Sequence, residues 1–344
     1  MSFSIVHGGA TLPAVTVDAY NAELRDGEGF IGDRASNRAF RSLLDDIRER
    51  LAGRDPLGNT STEALSKEAV DQLLAEGTPA EAAVVHTAIE SFAQEFAAVI
   101  GRFLKLKDWK DTERIVVGGG LRGSRAGELA IGRTGILLHS EGIAVDLVPI
   151  RHDPDEAGLL GGAHLAPSWV FQGHDSILAM DIGGTNIRAG LVGLHQKQAP
   201  DLSRGAVAAS DAWRHRDDRP KRDEAVARIV AMLQGLLKRA KKERLNLAPF
   251  IAIGCPGLIA ADGSIERGGQ NLPGNWEHET FNLPEQLRAA IPRIGAHETH
   301  VAMHNDAVVQ GLSEVPFMQD VTRWGVMTIG TGLGNARFSN RPAE

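Results

Sequence analysis

Asp181 closes an apolar run and is followed at once by two glycines, a threonine and an asparagine, in the stretch ILAMDIGGTNIRAG at residues 177–190. A tight glycine turn between strands gathers backbone N–H groups in one concavity, which suits phosphate oxygens. Thr185 adds a hydroxyl donor. An aspartate at the strand end suits Mg2+ held through water, as phosphate-bound magnesium often is. The stretch WGVMTIGTGLGNARFSN at 324–340 repeats the plan: strand, Ile-Gly, a polar turn with Thr331, returning strand. One such hairpin is most simply a turn that needs glycine for positive φ. Two in one chain, one with an acidic residue, favour phosphate.

HNDA at 304–307 puts Asp306 at a strand-to-helix turn. It is either a helix N-cap or a carboxylate that accepts a proton from an attacking hydroxyl. VVGGGLRGSRAGEL at 116–129 sets Gly118, Gly120 and Gly123 in a G-x-G-x-x-G spacing, which admits a dinucleotide-binding alternative. That alternative expects an acidic residue ending the next strand. The next strand starts with Asp146 and ends LVPI, and the two hairpins stay unexplained. Cys255, between a strand and a proline, reads as a packed small side chain.

The elements that must position these residues follow from periodicity. Apolar spacing predicts helices over 33–51, with Phe40, Leu43, Leu44, Ile47 and Leu51 on one face, and over 63–75. Thr78, Pro79 and Glu81 mark the start of a long helix to about Lys105 through a capping box. Strands are predicted at 14–17, 114–121, 145–150, 176–181, 187–194, 205–209 and 250–257. Helices are predicted over 155–165 and 223–241, and residues 300–314 read as strand, turn, helix. Strands alternating with helices imply an α/β protein with a parallel or mixed sheet.

The length of 344 residues suggests two domains. A net charge of −7 argues against general affinity for nucleic acid or anionic membrane. One cysteine rules out an intrachain disulfide and a zinc site built on several cysteines. No apolar run is long enough to span a membrane, and the first residues lack a basic, apolar leader. The expectation is a cytoplasmic protein.

Taken in the order 176–344 and then 1–170, these pieces resemble the ROK (repressor, open reading frame, kinase) family of the actin/hexokinase superfamily, which contains bacterial glucokinases. DIGGTNIRAGL resembles the family's first phosphate motif and GTGLGNARF its second. GCPGLI with NLPGNW resembles the sugar-side loop, HNDA the catalytic motif, IVVGGGL the adenosine motif and DEAGLLGGAHLA the closing helix. The resemblance implies two ribonuclease H-like domains. The adenosine motif and closing helix normally come last and here precede the first phosphate motif, which implies a circularly permuted chain order. The expected domains are 166–314, with the first phosphate loop, sugar loop and catalytic aspartate, and 1–165 plus 315–344, with the adenosine motif and second phosphate loop.

The resemblance also implies roles. Asp306 is the general base, and Asn305, Gly257, Gln270 and Asn271 face the sugar. Asp181, Gly183, Gly184, Thr185, Asn186 and Arg188, with Gly330, Thr331, Gly332 and Gly334, hold the donor phosphates. Gly118, Gly119 and Gly120 flank the adenosine. Asp181 holds Mg2+ through water, and no zinc site is expected. The implied function is a sugar kinase moving a phosphoryl group from ATP, or polyphosphate, to a hexose-like hydroxyl. A non-catalytic sugar or nucleotide sensor and an NAD-dependent oxidoreductase are the alternatives. The family's Glu-x-Gly-His sugar motif is missing, with His7 the one N-terminal imidazole to replace it, so weak glucose phosphorylation is expected. The expected partner is a small sugar, with a homodimer left open.

Overall fold

The computed structural model describes residues 6–27 and 29–342. The chain is α/β with mixed sheets. The strands of the two larger sheets are β1 (Val15–Tyr20), β2 (Arg114–Gly118), β3 (Asp146–Pro149), β4 (Ser176–Ile182), β5 (Ile187–Gly193), β6 (Ala206–Trp213), β7 (Leu247–Cys255), β8 (His300–Asn305), β9 (Arg323–Ile329) and β10 (Leu333–Asn340). The helices that matter below are α1 (Asn37–Leu51), α2 (Lys67–Glu76), α3 (Pro79–Phe103), α4 (Arg125–Ser140), α5 (Pro154–Gly161), α6 (Arg222–Lys242) and α7 (Asp306–Leu312).

One sheet has the order β1-β10-β9-β2-β3 and the other β8-β7-β4-β5-β6. In the second, β8, β7 and β4 run parallel, and β4, β5 and β6 form an antiparallel meander. β4 is apolar almost throughout and buried at every position, as a strand covered on both faces must be. In the first, β9, β2 and β3 are parallel, with Val326 opposite Val116.

Contacts gather the chain into two compact units. One comprises Met1–Asn21, Asp155–Thr322 and Ala336–Glu344; the other comprises Ala22–Pro154 and Arg323–Asn335. Residues 6–21, 155–165 and 336–342 thus pack with the unit that carries Asp306, whereas the sequence reading put them with the other domain. Glycines explain part of this. A Cβ on Gly161 would strike the Val309 carbonyl oxygen at 1.7 Å, and one on Gly162 would lie 2.6 Å from the Ala252 Cβ. Small residues let α5 and the turn after it seat directly on β7 and α7.

The core of the other unit is built on α3. Val85, Ile89, Phe92, Phe96, Ile100 and Phe103 recur at three- and four-residue spacing and are all buried. Its capping box forms as expected: the Thr78 Oγ1 accepts from the Glu81 N–H, and the Glu81 carboxylate accepts from the Thr78 N–H. Phe40 of α1 packs edge-on to Phe92 at 5.9 Å. Leu51, assigned to that same face by its spacing, is exposed instead. It is the last residue of α1, and Ala52 beyond it turns to positive φ.

Candidate active site

In the first unit, three neighbouring parallel strands end together. Along β7, Gly254 lies opposite both Asp181 of β4 and His304 of β8. Asp181 and Asp306 are therefore brought to the carboxyl ends of strands that flank β7, where open α/β sheets bind ligands. Gly254 lies close under α7: a Cβ there would lie 3.3 Å from the Val309 Cβ and 3.5 Å from the Asp306 Cα.

Asp181 is buried, and its Oδ1 has no hydrogen-bond partner. Burial pushes its pKa up to about 6, and Arg188, with a guanidinium nitrogen 3.8 Å away, opposes the rise. The same guanidinium binds Asp155 of α5 at 2.5 Å. α5 lies against Asp181 because residue 158 is glycine: a Cβ there would meet the carboxyl carbon at 2.5 Å. Burial, aided by the charge of Asp181, pushes the Asp306 pKa up to about 7.

The helix cap belongs to Asn305, not Asp306. The Asn305 Oδ1 accepts from the Ala307 and Val308 N–H groups at 3.0 and 3.3 Å, and its Nδ2 donates to the Gly257 carbonyl at 3.1 Å. Asn305 thus holds the turn and the 257–276 loop together, and its side chain also donates to the Asp306 carboxylate. Asp306, the first residue of α7, accepts from the Ala307 N–H at 2.9 Å, with its own N–H and the Asn305 side chain as further donors. Gly257 itself has φ +104, and a Cβ there would come within 2.5 Å of the Arg267 carbonyl oxygen.

The first hairpin turn is closed by the Gly183 N–H donating to the Asn186 carbonyl at 2.8 Å. His215, which sequence reasoning missed, is buried and bonds the Gly183 carbonyl at 2.9 Å through Nε2. The Arg216 N–H donates to the Thr185 carbonyl. Neither Gly183 nor Gly184 has positive φ, so the ordinary-turn explanation of these glycines fails. A Cβ on Gly184 would come within 2.8 Å of the Asn271 Cβ, which brings Asn271 against the turn at 183–186. Gln270 and Asn271 are both exposed. His7 is buried, and its Nδ1 accepts from the Met303 N–H at 3.1 Å.

In the other unit, the second turn is closed by the Gly330 N–H donating to the Gly332 carbonyl at 2.9 Å, and the Gly330 carbonyl accepts from Asn37 at the start of α1. Gly330, Gly332 and Gly334 also lack positive φ. Beyond Gly332 there is open space in the direction of a Cβ, and Thr331 sits partly buried beside it. Gly118 ends β2. Gly119 has φ +83 and presses on Ile329, where a Cβ would meet the carbonyl oxygen at 2.4 Å. The Gly120 carbonyl accepts from the Lys67 Nζ at 2.5 Å.

Beside this turn is a cavity of about 110 Å³ with Phe40, Leu44, Val70 and Leu121 among its apolar walls and Arg41 and Lys67 at its polar side. Arg41 is held by the Thr62 and Leu65 carbonyls. The dinucleotide alternative needs an anion at the start of α4. That position is taken: the Asp71 carboxylate accepts from the Arg125 and Ala126 N–H groups at 2.8 and 3.0 Å.

Two solved structures are similar to this chain over part of their length. A Listeria monocytogenes protein named as a candidate N-acetylmannosamine kinase is 29% identical over 48% of this chain and 47% of its own, with a TM-score of 0.34. An exopolyphosphatase from Cytophaga hutchinsonii is 16% identical over 56% of each chain, with a TM-score of 0.24. The chain spans about half the length of each. No family model matches the sequence, and no curated protein matches it. Among the described residues no helix is long and apolar enough to cross a membrane.

Proposed function

We propose that the chain is a sugar kinase of ROK type, circularly permuted, that transfers a phosphoryl group to a hydroxyl of a hexose-like substrate. The observation that carries this reading is the pair of carboxylates, Asp181 and Asp306, at the ends of strands flanking β7, both with raised pKa. A carboxylate with a pKa of about 7 is matched to proton transfer near neutrality. Asp306 accepts the proton of the attacking hydroxyl as its oxygen bonds to the terminal phosphorus and the bond to the leaving phosphate breaks. A sensor has no need of such a base.

Mg2+ fits the residues present. The buried, unpartnered Asp181 Oδ1 lacks a full counter-charge. Among the described residues no group of three or more His, Cys, Asp and Glu side chains gathers as a metal cage, which suits a cation held mainly by phosphate and water. When bound, it neutralises charge on the transferred group. In the first unit Asp181 and Arg188 hold and orient that end of the donor and the turn at 183–186 offers N–H groups to phosphate; in the other unit the turn at 330–334 is by itself a cradle of the same kind.

The apolar cavity beside the 118–120 turn favours ATP over polyphosphate as donor. Its walls are largely apolar, and a polyphosphate has no apolar part to place against them. The parallel pairing of β9 with β2 supports the permuted order, because the second phosphate strand and the adenosine strand must be neighbours in that reading. Sugar-dependent ADP release across a hexose panel, beside a polyphosphate assay, tests the proposal. Activity with at least one hexose is expected, and none with any sugar or donor would replace the kinase reading with the sensor.

A further inference from the structure

Asp306 sits at the end of β8, an edge strand of its sheet. The outer side of that strand is covered by the 7–20 segment. The Gly8 N–H donates to the Met303 carbonyl at 2.9 Å, and the Met303 N–H donates to the His7 Nδ1. Next along the strand, His304 is 1% exposed. Its Nδ1 accepts from the Asn305 N–H at 2.7 Å, and its Nε2 lies 3.2 Å from the Gly9 carbonyl. A ring that accepts at Nδ1 carries its proton on Nε2, so His304 donates to Gly9. Tyr20 packs edge-on to the His304 ring at 5.0 Å, and its hydroxyl accepts from the Ile259 N–H at 3.3 Å in the sugar-side loop. Gly8 has φ +57, and a Cβ on it would fall 2.0 Å from the Ile259 carbonyl oxygen.

We propose that His304 is a positioning residue: by bridging the Gly9 carbonyl and the Asn305 amide, it lets the 7–20 segment fix the turn that carries Asp306 and its spacing from the 257–276 loop. This rests on the reading of Asp306 as general base. The two ring nitrogens join a segment nearly three hundred positions away to the backbone immediately before the base. Burial drives the His304 pKa down to about 4, so the ring keeps one neutral tautomer through the physiological range. The competing explanation is a core histidine whose hydrogen bonds are satisfied without consequence for the base.

Three full-length variants separate the two. His304→Asn keeps an acceptor near the Nδ1 position and loses the reach to Gly9. His304→Gln does the reverse. Gly8→Ala lifts the segment off Ile259 without touching the ring. All three are expected to lower kcat by roughly 10–100-fold, the scale of a misplaced catalytic group, with sugar and ATP KM changed less than threefold. Amide exchange of the peptide over 300–312 should quicken in Gly8→Ala, a readout that needs no turnover. Asp306→Asn is the control. If it retains turnover, the base assignment fails. If it loses turnover while the three variants keep kcat within twofold, the positioning role fails. Should the variants not fold, 15N NMR of the wild-type ring decides: an Nε2–H tautomer unchanged from pH 5.5 to 8 supports the bridge, and titration near pH 6.5 or an Nδ1–H tautomer overturns it.

Discussion

Gly158 lies against Asp181 so closely that any side chain at 158 would occupy the volume of the carboxyl group. The would-be Cβ falls 2.5 Å from the carboxyl carbon and 2.7 Å from Oδ1. α5 and β4 are thus fitted around a buried acid whose Oδ1 has no hydrogen-bond partner. Gly158→Ala should displace the Asp181 side chain and cost on the order of 1–3 kcal/mol, as overpacking does. Its turnover should fall as far as that of Asp181→Ala. Thermal melts and steady-state rates check this; normal rates with lowered stability would detach Asp181 from the chemistry.

Asp306→Asn should cut turnover by roughly 10²–10⁴ and should stabilise the fold at alkaline pH. A carboxyl whose native pKa is raised to about 7 keeps its proton in the folded chain where the unfolded chain has lost it. Its stabilising effect is complete below about pH 4 and is lost as pH rises toward 7. His304 runs the other way: held neutral, it costs stability as pH falls below 6.5 toward about 4. Comparing wild type with Asp306→Asn cancels the histidine. The variant's advantage should be near zero at pH 4 and grow to on the order of 2–4 kcal/mol at pH 8. A difference that does not change with pH would refute the raised pKa.

Gly332→Val and Gly184→Val should differ in kind. A side chain at 332 enters open space, so the fold should melt as wild type while ATP affinity falls. At 184 it collides with Asn271, so stability and sugar-loop order should fall together. Paired melts and nucleotide titrations check this. Unchanged ATP binding by Gly332→Val would remove the 330–334 turn as a phosphate cradle.

Val70→Trp should fill the cavity beside the 118–120 turn. ATP KM is expected to rise tenfold or more with sugar KM little changed. A polyphosphate rate, if present, should be unaffected. Equal loss with both donors would show that the cavity serves folding alone.

Both glycine hairpins were legible because each apolar run is punctuated locally, and the capping box at Thr78 was legible for the same reason. What escaped notice was long-range. His215 reaches Gly183 across 32 positions, and Asn271 fills the space over Gly184 from farther still. β1 extends to Tyr20, beyond the expected 14–17, because its partner is β10 at the other end of the chain. The choice of helix cap was local yet undecidable from sequence: Asn305 and Asp306 are adjacent and both good cap formers, and only tertiary contact with Gly257 assigns the cap to Asn305.

The Asp71 carboxylate seated on the first turn of α4 acts as a tethered competitor. Held on α2, it faces those amides at an effective concentration that free phosphate in solution would have to match. Any anion arriving near the 118–120 turn is turned away from the helix end and left to find its donors elsewhere. Excluding phosphate from that one attractive but unproductive berth leaves the Lys67 ammonium, which donates to the Gly120 carbonyl, as a charged partner of the turn.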